Sequence, residues 1–285
     1  MGACYSIVVK TLSQLAIALV ALTACQSPRT NPTPSTPLKV LVYNVHAGKD
    51  AGGVDNLQRV ADIVKSSGAD IALLQEVDKR TKRSGGVDQP AEYARRTGFK
   101  VAFGRSLDYD GGEYGIAVLS RWPIVSDTAI HLPVNPPQER SGGSHEPRVM
   151  QLVAIASGFG PLVVLNTHID ASGPETYRLQ EIKTIIAGWK QLLARGEARV
   201  LTGGDFNSTP ESAVQVELRD NGFRDAWPIC GTGEGLSYPT DVPRKRIDYL
   251  FLLAGFECTS ARVVDADASD HRPVLFTLRL SSRDR

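Results

Sequence analysis

Polar side chains gather at the ends of six predicted strands, and they are carboxylates, amides and imidazoles with little else among them. They are Asn44 and His46; Glu76 and Asp78; Asn166, His168 and Asp170; Asp205 and Asn207; Asp248; and Asp270 and His271. A single Asp or Asn at a strand end is usually a turn or helix-capping residue, and a single His there is usually structural. Burying the whole set together is costly unless a cation compensates. The joint pattern therefore indicates a metal-dependent site.

The types of these residues limit both the identity of the metal and the class of reaction. Carboxylate and amide oxygens suit Mg²⁺ or Mn²⁺, with Ca²⁺ as a further candidate, and the cysteines are too few and wrongly placed for zinc. Imidazoles beside a hard cation act as proton carriers or as donors to a developing oxyanion. Asp248 is suited to orient and charge-stabilise His271. Together these groups predict in-line attack of water on a phosphate ester.

The elements that must position these residues run from Leu38 to Leu280 with no linker typical of a second domain. Predicted strands outnumber predicted helices, and the longest helix is expected at about Pro174–Ala194. A buried strand is expected at Ile71–Leu74, and strand runs such as Leu162–Leu165 are apolar throughout, which predicts burial on both faces. Helices should therefore cover the outer faces of packed sheets. The stretches Leu132–Glu146 and Lys82–Gln89 are predicted to be long loops, which often carry function.

The N-terminal segment has the layout of a bacterial lipoprotein leader. Residues 1–24 carry one cation, Lys10, and then an apolar run that ends in small residues, which predicts a secretory signal peptide. Leu22–Cys25 resembles a lipobox, so Cys25 is the predicted lipidation site. An N-myristoylation pattern at Met1–Ser6 is the weaker alternative.

The mature protein predicted from this leader is a folded domain on a lipid tether. Residues 25–37 form a Pro-rich tether behind the lipidated cysteine, and residues 38–285 form the domain. The protein is thus expected to be exported and held at the cell envelope by acyl chains without spanning the membrane. Gln26 favours the periplasmic face of an outer membrane.

Charge and cysteine usage bear on partners and compartment. The chain has 32 Lys and Arg against 31 Asp and Glu, and loss of Lys10 with the leader leaves 31 of each. Proteins that hold nucleic acid by unspecific attraction usually carry a basic excess, so charge does not favour nucleic acid as a partner. Cys230 and Cys258 remain after the leader and lipobox cysteines, and both a disulfide and two buried thiols stay open.

The polar residues also form an ordered series of motifs. The motifs are Asn44, Leu74–Asp78, Asn166–Asp170, Gly204–Asn207, Arg246–Tyr249 and Ser269–His271. This series resembles the signature set of the endonuclease/exonuclease/phosphatase superfamily and covers nearly all of the predicted domain. With the Arg83–Gly86 loop included, the resemblance is closest to small bacterial members.

The resemblance implies a fold and a metal site. The fold is α+β: a four-layer α/β/β/α sandwich of two packed, mainly antiparallel sheets flanked by helices. Glu76 is the implied metal ligand, with Asn44 and Asp270 beside it. Arg148 and Tyr114 are candidate phosphate or cleft contacts, and a surface ion pair is the alternative for Arg148.

The resemblance also implies roles around the phosphate. Asp205 and Asn207 would position the attacking water and the phosphate. His168 would donate to the phosphoryl oxygens. His271, paired with Asp248, would act as base or transition-state stabiliser, and whether Asp205 or His271 takes the proton of the water stays open.

Three functions follow from these observations. The leading hypothesis is hydrolysis of a phosphodiester, with a phospholipid headgroup as one candidate, or of a phosphomonoester at the envelope, where a tethered enzyme meets headgroups at high effective concentration. An envelope-anchored nuclease is the first alternative, with Lys82–Arg83, Arg95–Arg96 and Arg244–Arg246 as its phosphate contacts. An inactive lipid-anchored binding module is the second, and the complete set of expected catalytic residues disfavours it. A monomer is expected; the natural substrate and preferred metal stay open.

Overall fold

The computed structural model describes residues 37–134, 146–197 and 199–281. The predicted signal peptide, the lipidation site Cys25 and nearly all of the tether lie outside these residues, as does most of the predicted loop Leu132–Glu146. Among the helices in the described ranges, none is long and apolar enough to cross a membrane.

Strands dominate the described residues. In chain order the strands are β1 (Leu38–Asn44), β2 (Ile71–Lys79), β3 (Lys100–Tyr109), β4 (Gly112–Ser120), β5 (Ile124–His131), β6 (Val149–Ser157), β7 (Gly160–His168), β8 (Val200–Asp205), β9 (Arg224–Asp225), β10 (Asp248–Ala254), β11 (Phe256–Val263) and β12 (Val274–Leu280). The helices are α1 (Leu57–Ser66), α2 (Gln89–Thr97), α3 (Thr176–Ala194), α4 (Ala213–Asp220) and α5 (Trp227–Cys230), with short 3-10 turns at His46–Gly48 and Lys82–Ser84.

The strands form two six-stranded sheets within the described ranges. The first has the order β11-β12-β1-β2-β4-β3 and the second the order β5-β6-β7-β8-β10-β9. Only β1–β2 and β7–β8 pair in parallel; the remaining pairs within these sheets are antiparallel. In each sheet a parallel pair lies near the centre, and its strands end on the same edge. Polar residues that follow such strands therefore meet at one edge.

The two sheets pack face to face through alternate side chains. In β1, Val40 and Val42 face the second sheet and pack in one core with Val164 and Leu201. The intervening residues of β1 face outward. These side chains are fully buried, as the apolar strand runs predict.

Helices cover both outer faces. Val60 and Val64 of α1 pack with Leu41 on the outside of the first sheet. Ile182 of α3 and Leu218 of α4 pack in the corresponding core of the second sheet. The layers are thus helix, sheet, sheet and helix, which confirms the predicted four-layer α+β sandwich.

Some elements differ from the sequence prediction. The strand expected at Ile71–Leu74 continues as β2 to Lys79, with a bulge between Leu74 and Val77. β5 carries polar side chains and is mostly exposed at the edge of its sheet, so no apolar run marks it. The sequence pattern also predicts no helix at Ala213–Asp220, where the structure has α4.

A disulfide joins Cys230 at the end of α5 to Cys258 in β11, with the two Cα atoms 5.7 Å apart. Of the two alternatives open for these cysteines, the structure has the bonded pair. The bond closes a segment of sequence separation 28, which contains β10. Asp248 of the polar edge lies at the start of β10, within this closed segment.

Candidate active site

The predicted site residues converge on one cleft of about 830 Å³ at the strand ends. Those that line it are Glu76, Tyr114, Arg148, His168, Asp205, Asn207, Asp270 and His271. Asn44 and Asp248 lie behind this wall and hydrogen-bond to it. Every residue of the domain to which the resemblance assigns a role is therefore brought together, whereas His46, Asp78, Asn166 and Asp170 of the same strand-end set do not line the cleft.

One amide joins two carboxylates at the base of the cleft. Asn44 Nδ2 lies 3.0 Å from Glu76 Oε1 and 3.1 Å from Asp205 Oδ2, and donates to both. Asn44 Oδ1 accepts from the backbone N–H of His46. Asn44 ends β1 and Asp205 ends β8, so this contact crosses from one sheet to the other. Asn44, expected beside the metal, thus serves as a bridge between two acidic groups.

Asp248 and His271 form a hydrogen-bonded pair. Nδ1 of His271 lies 2.9 Å from Oδ2 of Asp248, and the same oxygen accepts from Ser237 Oγ. Burial lowers the pKa of His271, but the charge and hydrogen bond of Asp248 outweigh it, and the pKa rises to about 10. His271 is therefore an imidazolium at neutral pH, and its other nitrogen, Nε2, faces Asp205 at 3.6 Å.

Asp205 lies between two imidazoles. Its Oδ2 is 3.6 Å from His271 Nε2 and 3.5 Å from His168 Nε2. Burial raises the pKa of Asp205 to about 7, with Asp248 adding to the rise and His271 opposing it. A carboxyl that titrates near neutral pH can accept a proton from water at that pH.

His168 is held in one tautomer by Arg148. Nη1 of Arg148 lies 2.8 Å from Nδ1 of His168. A guanidinium can only donate, so Nδ1 accepts and the ring proton sits on Nε2, in the cleft. Burial and the nearby charge of Arg148 lower the pKa of His168 well below its ordinary value. His168 is therefore a neutral hydrogen-bond donor.

Arg148 is buried rather than on the surface. It is 3% exposed, and its Nη2 lies 2.5 Å from Glu146 Oε1. Burial opposes the charge of Arg148, but Glu146 outweighs it and the pKa lies above the ordinary value. The predicted phosphate contact thus lies in the cleft wall, where it orients His168.

The backbone places Asn207 by an unusual conformation. Its φ is +43°, in the left-handed region, and its N–H donates to Asp205 Oδ1 at 2.9 Å. Nδ2 of the side-chain amide donates to the carbonyl oxygen of Ile169 at 3.0 Å and also lies 3.0 Å from His168 Nε2. Because both of these nitrogens carry hydrogen in the tautomer that Arg148 imposes, the approach to His168 is a close contact and not a hydrogen bond. Asn207 therefore hydrogen-bonds to Asp205 and packs against His168.

Three further residues of the cleft were not predicted as part of the active site. Tyr238 packs against His271 in a tilted arrangement, with ring centroids 4.7 Å apart, and the carboxylate of Glu146 compensates the charge of Arg148. Arg83, named in the sequence only as a phosphate contact of the nuclease alternative, lines the cleft while it pairs with the fully buried Asp78 and lies over the ring of Tyr109. Arg83 and Glu146 lie in the predicted loops Lys82–Gln89 and Leu132–Glu146, which is their only signal in the sequence. Tyr238 has no such signal.

The donor set fits a hard divalent cation. Glu76 and Asp270 present carboxylates to the cleft, and such oxygens suit Mg²⁺ or Mn²⁺. Asp205, Asp248 and His271 also form a group, in which one ligand atom from each lies within 4.8 Å of the others. There, however, Asp248 Oδ2 and His271 Nδ1 bind each other. The Glu76 side of the cleft is therefore the better candidate for a metal.

Comparison with known proteins agrees with this site and fold. A sequence model described as the Endonuclease/Exonuclease/phosphatase family matches residues 41–271. The chain belongs to the endonuclease/exonuclease/phosphatase family of phosphoester hydrolases. The uncharacterised protein YbhP of Escherichia coli K12 is 26% identical over 223 residues, which cover 75% of this chain and 84% of YbhP.

Solved structures share the fold. A mannosyl-6-phosphatase from Bacteroides thetaiotaomicron VPI-5482 has a TM-score of 0.70 at 19% identity, over 85% of this chain and 99% of that one. TDP2 of Caenorhabditis elegans has a TM-score of 0.64 at 20% identity, over 86% of this chain and 74% of that one. At these identities the likeness establishes the fold alone.

Proposed function

We propose that this protein is a divalent-metal-dependent phosphoesterase, and that it hydrolyses a phosphodiester or phosphomonoester by in-line attack of water. The observation that carries the proposal is the position of Asp205. It is joined to Glu76 through the amide of Asn44 and lies between the two imidazoles of the cleft. Such a centre can deprotonate a water and donate to a phosphoryl oxygen at the same time.

Asp205 is the proposed base, because the alternative, His271, is already protonated at neutral pH. The carboxylate of Asp205 takes a proton from the attacking water as the water oxygen bonds to phosphorus. The ester P–O bond opposite breaks, and the released alkoxide takes a proton from solvent and leaves as the alcohol. The imidazolium of His271, held by Asp248, then compensates the negative charge that develops on the reacting phosphoryl group. Of the two alternatives that the sequence leaves open, Asp205 and His271, the proposal therefore takes Asp205.

The opposite side of the cleft donates hydrogen bonds. His168 presents the proton on Nε2 to a phosphoryl oxygen, and Arg148 keeps it in that tautomer. Mg²⁺ or Mn²⁺, held by Glu76 and Asp270 with Asn44 orienting Glu76, would supply charge neutralisation at the phosphate. Tyr114 lines the same cleft with a buried ring.

The basic clusters are compensated in part. Arg246 is 6% exposed and lies 2.7 Å from Asp225, and Arg95 and Arg96 both pair with Glu92 on α2. Lys245, by contrast, is exposed and lines the cleft, where it is available to a phosphate group. Because the predicted mature domain has no basic excess, we prefer a small phosphate ester, such as a phospholipid headgroup, over nucleic acid as the substrate class.

Export and lipidation at Cys25 belong to the same proposal. The disulfide between Cys230 and Cys258 supports an oxidising compartment, since such bonds are rare in reducing ones. Fatty-acid labelling of cells tests the anchor. Cys25→Ala should abolish labelling and Gly2→Ala should leave it intact; the reverse result would support N-myristoylation instead.

The activity is tested with bis-p-nitrophenyl phosphate and p-nitrophenyl phosphate, with EDTA, Mg²⁺ or Mn²⁺. Turnover should require the metal and should be lost in Glu76→Gln and His271→Ala. Glu92→Gln, on α2 outside the cleft, is the matched control. Turnover that survives EDTA or both substitutions would refute the site. Absence of turnover together with tight Mn²⁺ binding would favour the binding module.

A further inference from the structure

The carboxylate of Glu76 is presented by a break in its strand. β2 pairs with β4 up to Leu74 and again from Val77, so that Gln75 and Glu76 are left out of the ladder on that side. Glu76 has φ of +56°, a conformation that side-chain-bearing residues rarely adopt. Such a conformation persists only where the surroundings impose it. Contacts from neighbouring residues must therefore stabilise the backbone at this bulge.

A single side chain from the other sheet lies at the bulge. Nδ2 of Asn166, in β7, donates to the carbonyl oxygens of Leu74 at 3.1 Å and Ala117 at 3.0 Å. Its Oδ1 accepts from Nε2 of Gln75 at 2.8 Å. Leu74 and Ala117 face each other across β2 and β4, at the last pair before the ladder breaks. Asn166 thus binds both strands and the residue next to Glu76.

We propose that Asn166 is a positioning residue, which holds the bulge of β2 and thereby sets the affinity of Glu76 for the divalent metal. The inference rests on the proposed function, in which Glu76 is a metal ligand. Asn166 is fully buried and does not line the cleft, so it acts through Gln75 and the backbone rather than by contact with substrate. It also precedes His168 by two residues in β7, so one strand organises both sides of the site.

A neighbouring residue supplies a matched control. Gln151 in β6 is paired with Asn166 in the register of the second sheet, faces the same interlayer space and is fully buried. Among the described residues, neither polar atom of its side chain has a hydrogen-bond partner. Replacing Gln151 with Met removes a buried amide at the same depth without touching the bulge. The Gln151→Met variant therefore separates loss of the Asn166 hydrogen bonds from general disturbance of the core.

The test is calorimetric titration of the full chain, in detergent, with Mn²⁺. Asn166→Leu keeps the number and branching of the side-chain heavy atoms but removes all three hydrogen bonds, and it should weaken Mn²⁺ binding about 10- to 100-fold, as loss of outer contacts to a ligand does elsewhere. Gln75→Met removes the hydrogen bond from Gln75 to Asn166 and should also weaken Mn²⁺ binding. Gln151→Met should leave the dissociation constant unchanged. A crystal structure of Asn166→Leu should show Glu76 out of the positive-φ region.

The outcomes separate this inference from the proposed function. Loss of Mn²⁺ binding in Glu76→Gln, with unchanged binding in both Asn166→Leu and Gln75→Met, would overturn the positioning role alone. So would equal weakening in Gln151→Met and Asn166→Leu. Absence of Mn²⁺ binding in the unmodified protein would overturn the proposed function. If Asn166→Leu does not fold, Gln75→Met decides between these results.

Discussion

Nδ1 of His271 and Oδ2 of Asp248 lie 2.9 Å apart in a buried pair, and this contact determines the charge state of the cleft. With its pKa near 10, His271 is cationic over the physiological range. The cation in turn favours the ionised form of Asp205, which lies on its other side. The contact between Asp248 and His271 therefore keeps a cationic acid, His271, beside the ionised form of Asp205, which is the proposed base.

Replacement of Asp248 should uncouple that pair. Asp248→Asn removes the charge that raises the pKa of His271, so the imidazole should lose its proton at lower pH. We expect the alkaline limb of the pH–rate profile to move toward neutral pH and kcat at pH 8 to fall by about 100- to 1,000-fold, the size of a lost electrostatic contact at a reacting centre. Steady-state kinetics across pH check this. An alkaline limb in the same place would show that His271 does not act as a cation.

Loss of the proposed base should be more severe. Asp205→Asn keeps the size and an acceptor for Asn44 but cannot take a proton, and kcat should fall by about 100- to 10,000-fold. Because burial places the pKa of Asp205 at about 7, the acid limb of the unmodified enzyme should have its midpoint near that pH. Residual activity should have no such limb. If instead the limb survives in Asp205→Asn, another group is the base.

Arg148 should affect both stability and catalysis. Arg148→Met leaves Glu146 without its partner and frees the tautomer of His168, so kcat should fall. We expect a loss of stability on the order of 2 kcal/mol, less than for a fully buried pair because the Glu146 side chain is 20% exposed. Urea denaturation measures it.

The double variant Glu146→Gln/Arg148→Met is the control for charge. It should regain part of the stability without regaining kcat, because His168 still lacks its donor. Recovery of both would mean that Arg148 serves only to neutralise Glu146.

The sequence predicts which residues meet in the cleft, because their types and positions at strand ends are local features. It does not predict how they are held. The strand expected to stop at Leu74 continues through a bulge that depends on Asn166, 92 residues further along the chain. For Arg148 the sequence leaves a phosphate contact and a surface ion pair open, and it does not predict the buried position beside His168 and Glu146. Such contacts depend on packing between segments that are far apart in the sequence, and local periodicity does not reveal this packing.

Glu181 of α3 allows a prediction independent of the chemistry. It is 1% exposed and accepts a hydrogen bond from the N–H of Asp170, and burial raises its pKa to about 8. Between its ordinary pKa and 8 the folded state holds a proton that the unfolded chain has released. Stability should therefore fall as pH rises through this window, by up to about 1.4 kcal/mol per pH unit from this group.

Glu181→Gln cannot titrate and keeps an acceptor for the Asp170 N–H, so it should flatten that decline. Urea denaturation of both proteins from pH 5 to about 9 gives the two slopes. The difference in unfolding free energy between variant and parent should be smallest at the acid end and should grow in favour of the variant as pH rises. Glu211→Gln, which removes an exposed carboxylate, should follow the parent throughout. Parallel slopes for Glu181→Gln and the parent would mean that Glu181 is already ionised in the folded protein at pH 5.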